Sequence, residues 1–321
     1  MLSFLRLEID LWTLFRFLVK CWAYALRAGK AVSQGSEVGQ FRTCRCQSTE
    51  VHLAHFISLV LYAGSLITWL RSLTKGGRGP GPSVAFSLAS LGVLVHGFAL
   101  FRFTSSYNQL PLTGLGPSLS SLALVIGLAL VGTIVFGEGR RIGIVVIPFI
   151  ILLETMAIIL GIEPSAEVLD FQGAWFALHV MLAFVGVGGM TLSFASSSLY
   201  VIQLGELNNK RMGRLFQFTP SLATLDRISR VSLVFGFVTF TLALGLGWFW
   251  TITFRQSLDQ FNPKVLWSVM TWFVFVGVFL ARRFCRLKPQ RGAWASIWGF
   301  AVVVLSYVAL RLFVSTKGFF L

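Results

Sequence analysis

The sequence predicts an all-α integral membrane protein built as a bundle of about eight transmembrane helices, with both ends of the bundle on the outer side. Three observations carry this. Of 321 residues, 55% are hydrophobic and only 12% are charged, with a mean hydropathy of +0.78, a balance that a soluble domain reaches only by exposing a large apolar surface. The apolar residues gather in eight runs near the length of about 20 that a helix needs to cross the hydrocarbon. The basic residues sit in short loops between those runs, so the formal net charge of +15 sets topology and implies no nucleic-acid partner. Membrane lipid is the expected surrounding.

In chain order, residues 1–50 stand apart. Arg16, Lys20, Arg27 and Lys30 interrupt the apolar residues there, and the small-residue cleavage site of a secretory signal is missing. This segment reads as an amphipathic helix lying on the membrane, or as a disordered extension translated from a start codon set too far upstream. Residues 51–321 form the transmembrane domain. Its spans are expected near 52–70, 83–103, 117–136, 142–162, 173–203, 229–254, 265–281 and 293–314, with Pro80, Pro82, Pro117 and Pro164 in or beside the connections.

Loop charge sets the orientation. Connections after the first, third, fifth and seventh spans hold fifteen basic residues, among them Arg71, Arg140, Arg141, Lys210, Arg282 and Arg283. The opposite side holds Arg102, Arg255, Lys264, Arg311 and Lys317, and its loop after the fourth span is acidic, with Glu163, Glu167 and Asp170. The odd-to-even loops are therefore expected in the cytoplasm, as for a multi-pass protein of the inner (cytoplasmic) membrane. The seven basic residues of the extension conflict with that rule.

The fifth span, Gly173 to Gln203, is uncharged and carries His179. Its Gly186, Gly188 and Gly189, followed by Ser196, Ser197 and Ser198, suit close helix contact. With the expected orientation, His96 in the second span and His179 both lie roughly 10 Å below the outer boundary at a rise of about 1.5 Å per residue. His52 and His55 open the first span on the same side. Two neutral imidazoles at one depth on different helices meet the requirement for bis-histidine ligation of a b-type haem. The competing reading is that each is an ordinary buried histidine bonded to a neighbouring carbonyl or hydroxyl. Arg102 is placed to pair with a haem propionate, or else to snorkel to the headgroups. Glu154, the one acidic residue well inside a span, costs about 2.5–3.5 kcal/mol or more if left charged and alone, so it should be protonated or paired with His96 or Arg102. Trp248, Trp250, Trp267 and Trp272 read as interfacial residues, and Asp226 and Arg227 as a helix cap and anchor. The four cysteines form no CxxC and no ligand-spaced pair with histidine.

The order of segments from the fifth to the eighth span resembles the cytochrome c assembly membrane proteins of the CcsA/HemX type. His179, then Pro220, Ser221, Leu222, Leu225, Asp226 and Arg227, then Gly236, Gly245 and Gly247, then Pro263, Lys264, Trp267, Thr271 and Trp272 match that family's pattern in order. The resemblance covers about residues 52–314 and is nearest to the shorter HemX-like branch. It implies a haem-handling protein that acts with other cytochrome c maturation proteins, with His179 at an outer haem-ligand position. Where full CcsA-type proteins read WSWD, this chain has Asp259, Gln260, Phe261 and Asn262, so Phe261 alone keeps an aromatic face for a porphyrin. Gln109 stands where the family has a membrane histidine.

The expected function is therefore a membrane haem-binding protein in cytochrome c assembly or haem supply, with haem b between His96 and His179 and contacts from Arg102 and Phe261. Two alternatives remain open: an accessory subunit that keeps the scaffold without haem, and a small-molecule transporter centred on Glu154. No catalytic triad, phosphate loop or metal motif with the required order or spacing is present in the sequence, so an enzyme is not expected.

Overall fold

The computed structural model describes residues 40–74, 82–112, 114–135, 142–163, 174–210, 219–255, 263–283 and 288–315. Its elements are α1 (Gln40–Thr74), α2 (Pro82–Tyr107), α3 (Leu115–Val135), α4 (Gly143–Leu160), α5 (Ala174–Asn208), α6 (Leu222–Trp250), α7 (Pro263–Arg283) and α8 (Pro289–Ser315). A single π turn, Thr251–Arg255, extends α6. Among the described residues there is no strand, and eight helices are long and apolar enough to cross a membrane. The chain is a multi-pass membrane protein.

The helix ends follow from local chemistry. Pro82, Pro263 and Pro289 each occupy a first helical position, where the missing N–H would have found no partner anyway. At the start of α6, Ser221 is the cap: its hydroxyl accepts the Thr224 N–H at 3.2 Å. This corrects the expectation that Asp226 caps the helix. Asp226 lies a turn further on and pairs with Arg230 at 3.1 Å along the helix surface. The first helix begins at Gln40 and runs through residue 50 unbroken. Residues 40–49 contain neither proline nor glycine, so nothing in them stops the helix. The segment 1–39 lies outside the described residues.

The packing divides the bundle into two rings of four helices. In the first, α1 packs on α2, α2 on α3, α3 on α4 and α4 back on α1; in the second, α5 packs on α6, α6 on α7, α7 on α8 and α8 on α5. Contacts of α5 with α3 and α4 join the rings. Outward faces carry Leu94, Phe98, Ile159, Phe273 and Leu305, an exposure of apolar side chains suited to lipid. Because lipid is as apolar as leucine, helices hold together here by close packing and interhelical hydrogen bonds. The α5–α6 crossing shows both. A methyl added at Gly189 would lie 2.7 Å from the Ser232 carbonyl oxygen and 2.8 Å from Gly236 Cα, so only glycine lets the backbones come this close. Further along, Ser193, Ser197 and Ser229 link the two helices through hydroxyl contacts of 2.7–3.0 Å, and Ser193 reaches Ser296 on α8 at 3.2 Å.

A buried histidine–carboxylate cluster and a presented histidine

The first ring encloses a polar cluster. On α1, Val51, His55, Ser58, Tyr62, Ser65, Trp69 and Ser72 recur at alternating spacings of four and three, and every one of them is buried. This stripe carries His55 into the ring beside His96 of α2 and Glu154 of α4, and all three side chains have no solvent exposure. Glu154 Oε1 lies 3.5 Å from His55 Nδ1, and Glu154 Oε2 lies 3.4 Å from His96 Nδ1. The two imidazoles meet edge to face, with centroids 5.5 Å apart. Ser58 is held between the His55 carbonyl, at 2.8 Å, and Glu154 Oε1. On the far side of the His96 ring, Nε2 meets the Ser120 hydroxyl of α3 at 2.8 Å, while the Tyr62 hydroxyl stands 3.4 Å from Nδ1. All four helices of the ring thus contribute a side chain. Glu154, expected beside His96 or Arg102, stands next to His96 and also next to His55, while Arg102 bonds elsewhere.

His179 belongs to the second ring. Its Nδ1 lies 2.7 Å from the Ala243 carbonyl oxygen of α6. A carbonyl only accepts, so Nδ1 carries the proton and the neutral ring keeps its lone pair on Nε2. Gly247 makes this possible. It stands one turn beyond Ala243, and a methyl there would be 2.6 Å from His179 Cε1 and 2.8 Å from Nδ1, in the volume the imidazole occupies. The ring is half-buried, and its Nε2 takes no hydrogen bond from the described residues. Toward the same end of α5 and α6, aromatic pairs bridge the helices: Trp175 with Phe249 and Phe176 with Trp250, each with centroids 6.2 Å apart.

The structure therefore gives the two expected ligands different surroundings. His96 is wholly enclosed, with partners on α1, α3 and α4, whereas His179 is partly open and leans on α6. No contact among the described residues joins them. Arg102 bonds to Glu50 on α1, and both side chains are exposed. Phe261 lies outside the described residues. Trp267 and Trp272 donate to Ser306 and Thr241, each at 3.1 Å, so they fasten α7 to its neighbours α8 and α6. His55, Ser58, Tyr62, Ser120 and Gly247 were not singled out as site residues by the sequence reading. The buried spacing of α1 was the signal for the first three; the other two depend on which way α3 and α6 are turned.

Fold and site together define a multi-pass helical membrane protein with one histidine enclosed beside a carboxylate and another presented at a helix surface. A family profile described as Cytochrome C assembly protein matches residues 52–316. The chain belongs to the cytochrome c assembly protein family. Among curated proteins it is similar to Protein HemX of Bacillus subtilis, 31% identical over 137 residues that make up 41% of this chain and 48% of that one. It is also similar to the cytochrome c biogenesis protein CcsA of Heterosigma akashiwo, 23% identical over 262 residues, 70% of this chain and 81% of that one. The CcsA of Guillardia theta is 24% identical over 189 residues, 53% and 63% of the two chains. The match to HemX thus spans about half of that relative's length.

Proposed function

We propose that this protein binds haem at the outer side of the inner (cytoplasmic) membrane and acts in cytochrome c assembly as a carrier, not as an enzyme, with His179 as an axial ligand. The observation that carries the reading is the His179 contact with Ala243, which leaves Nε2 as the free nitrogen. A histidine that donates its other ring N–H to a carbonyl is held in one tautomer and one orientation, as metal-bound histidines are. Haem, when bound, supplies an iron that accepts such a nitrogen. The aromatic pairs Trp175–Phe249 and Phe176–Trp250 supply flat apolar surface toward the same end. His96 lies enclosed in the first ring, with its Nε2 next to the Ser120 hydroxyl, so the more open His179 carries the reading. Family membership supports the biological setting, with haem and other maturation proteins as partners. The basic loops between odd and even spans support the orientation.

The test is the visible spectrum of the detergent-purified protein, oxidised and dithionite-reduced, with haem supplied during expression. A Soret band and reduced α band of b type are expected in the parent and in His96→Ala, and their loss or displacement in His179→Ala. No Soret band in the parent would leave the haem-free accessory scaffold as the function; equal spectra in the parent and His179→Ala would remove His179 as the ligand.

A further inference from the structure

We infer that His55, His96 and Glu154 form a binding site for a divalent transition-metal ion of the zinc or cobalt type, enclosed in the first four-helix ring and separate from the haem site proposed at His179. Both nitrogens of His55 and Oε2 of Glu154 are buried and make no hydrogen bond with the described residues. Leaving a polar atom dry and unpaired costs free energy, so three such atoms side by side call for an occupant.

The spacing indicates which occupant. A charge-assisted hydrogen bond between imidazole and carboxylate closes to about 2.7–2.9 Å. Here the nearest approaches are 3.5 Å from His55 and 3.4 Å from His96, too long for such bonds. The 3.4 Å between His96 Nδ1 and Glu154 Oε2 is close to the roughly 3.3 Å that separates two ligands of a tetrahedral ion with metal–ligand bonds of about 2.0–2.1 Å. One ligand atom from each residue can be chosen so that all lie within 4.8 Å of one another.

The surrounding groups suit the same role. Ser58 engages Glu154 Oε1 and leaves Oε2 for the ion. The Ser120 hydroxyl lies 2.8 Å from His96 Nε2 and can accept its N–H, the tautomer in which Nδ1 offers a lone pair on the Glu154 side of the ring. Two imidazoles and one carboxylate favour zinc-like ions over calcium or magnesium, which prefer all-oxygen shells, and over copper(I), which prefers thiolate or thioether. The Tyr62 hydroxyl, 3.4 Å from His96 Nδ1, stands near a fourth position.

The full chain is produced in cobalt-supplemented medium, since a site this enclosed exchanges slowly, and is purified in detergent without chelator. Cobalt is read by metal analysis and by its ligand-field absorption, beside His55→Gln, Glu154→Gln, Ser120→Ala and His179→Ala. About one cobalt per chain with bands of a four-coordinate site is expected in the parent and in His179→Ala. At least a tenfold loss is expected in His55→Gln and Glu154→Gln, and roughly a tenfold weaker hold in Ser120→Ala. A parent that melts cooperatively yet holds less than about a tenth of an equivalent overturns the site, whatever the variants do. Equal cobalt in the parent and Glu154→Gln overturns it as well. The His179→Ala arm separates this result from the haem reading, because it removes the proposed haem ligand and leaves the cluster intact.

Discussion

At the scale of single residues, the state of His179 depends on one missing side chain. Ala243 offers a carbonyl that in a regular helix already accepts the N–H four residues on, and an imidazole reaches its other lone pair only because position 247 carries no Cβ. Gly245 lies on the same helix, and a Cβ there meets nothing within 4 Å. Gly247→Ala should therefore displace the His179 ring and weaken haem binding by about tenfold or more, by analogy with loss of an orienting partner, while Gly245→Ala should leave it unchanged. Haem titration of the two variants side by side checks this. His179 was visible in the sequence as the one histidine of an uncharged span, and Glu154 as the one interior acid. Their partners were less visible, because choosing between a carbonyl, a hydroxyl and another imidazole requires the rotation of each helix. His55 could be found only through the alternating spacing from Val51 to Ser72, where serine, tyrosine and histidine share the buried face of an apolar helix.

Elements are joined here by close approach and not by hydrophobic expulsion from water. The α5–α6 crossing at Gly189 and Gly236 tests that principle. Gly189→Ala should lower stability by about 1–3 kcal/mol, because its methyl would meet backbone atoms of α6 that cannot turn aside. Its thermal melt in detergent should fall well below that of Gly245→Ala. Removing the α6 cap with Ser221→Ala should cost about 1 kcal/mol, measured in the same way. The glycines of α5 were legible as contact residues, yet their duties differ. Gly186 and Gly189 face α6, whereas a methyl at Gly188 would make only ordinary contact, 3.5 Å from Val125 of α3. Span positions were legible to within a few residues because apolar runs bounded by charge are a strong signal. The start of α1 was not, since its first ten residues are mostly polar and yet helical.

For the whole molecule, the two rings hold two sets of histidines apart. The first encloses His55, His96 and Glu154; the second turns His179 outward against α6. Equal depth in the sequence suggested one site shared by His96 and His179, but depth ignores which ring a helix belongs to and which way it is turned. The bundle as a whole was legible from composition and loop charge, whereas the closure of each ring was not, because it is fixed by contacts between helices far apart in the chain. Orientation remains a matter of charge. A reporter fused after Leu321 should be active on the outer side, and one inserted at Gly76 on the cytoplasmic side.

Haem ligation by the open nitrogen of His179 is read most simply from a haem titration of His179→Gly, followed by visible absorption, with and without added imidazole, beside the parent. The variant should lose the parent spectrum, and imidazole, entering the space the side chain left, should restore it. A parent-like spectrum in His179→Gly without imidazole would contradict that ligation.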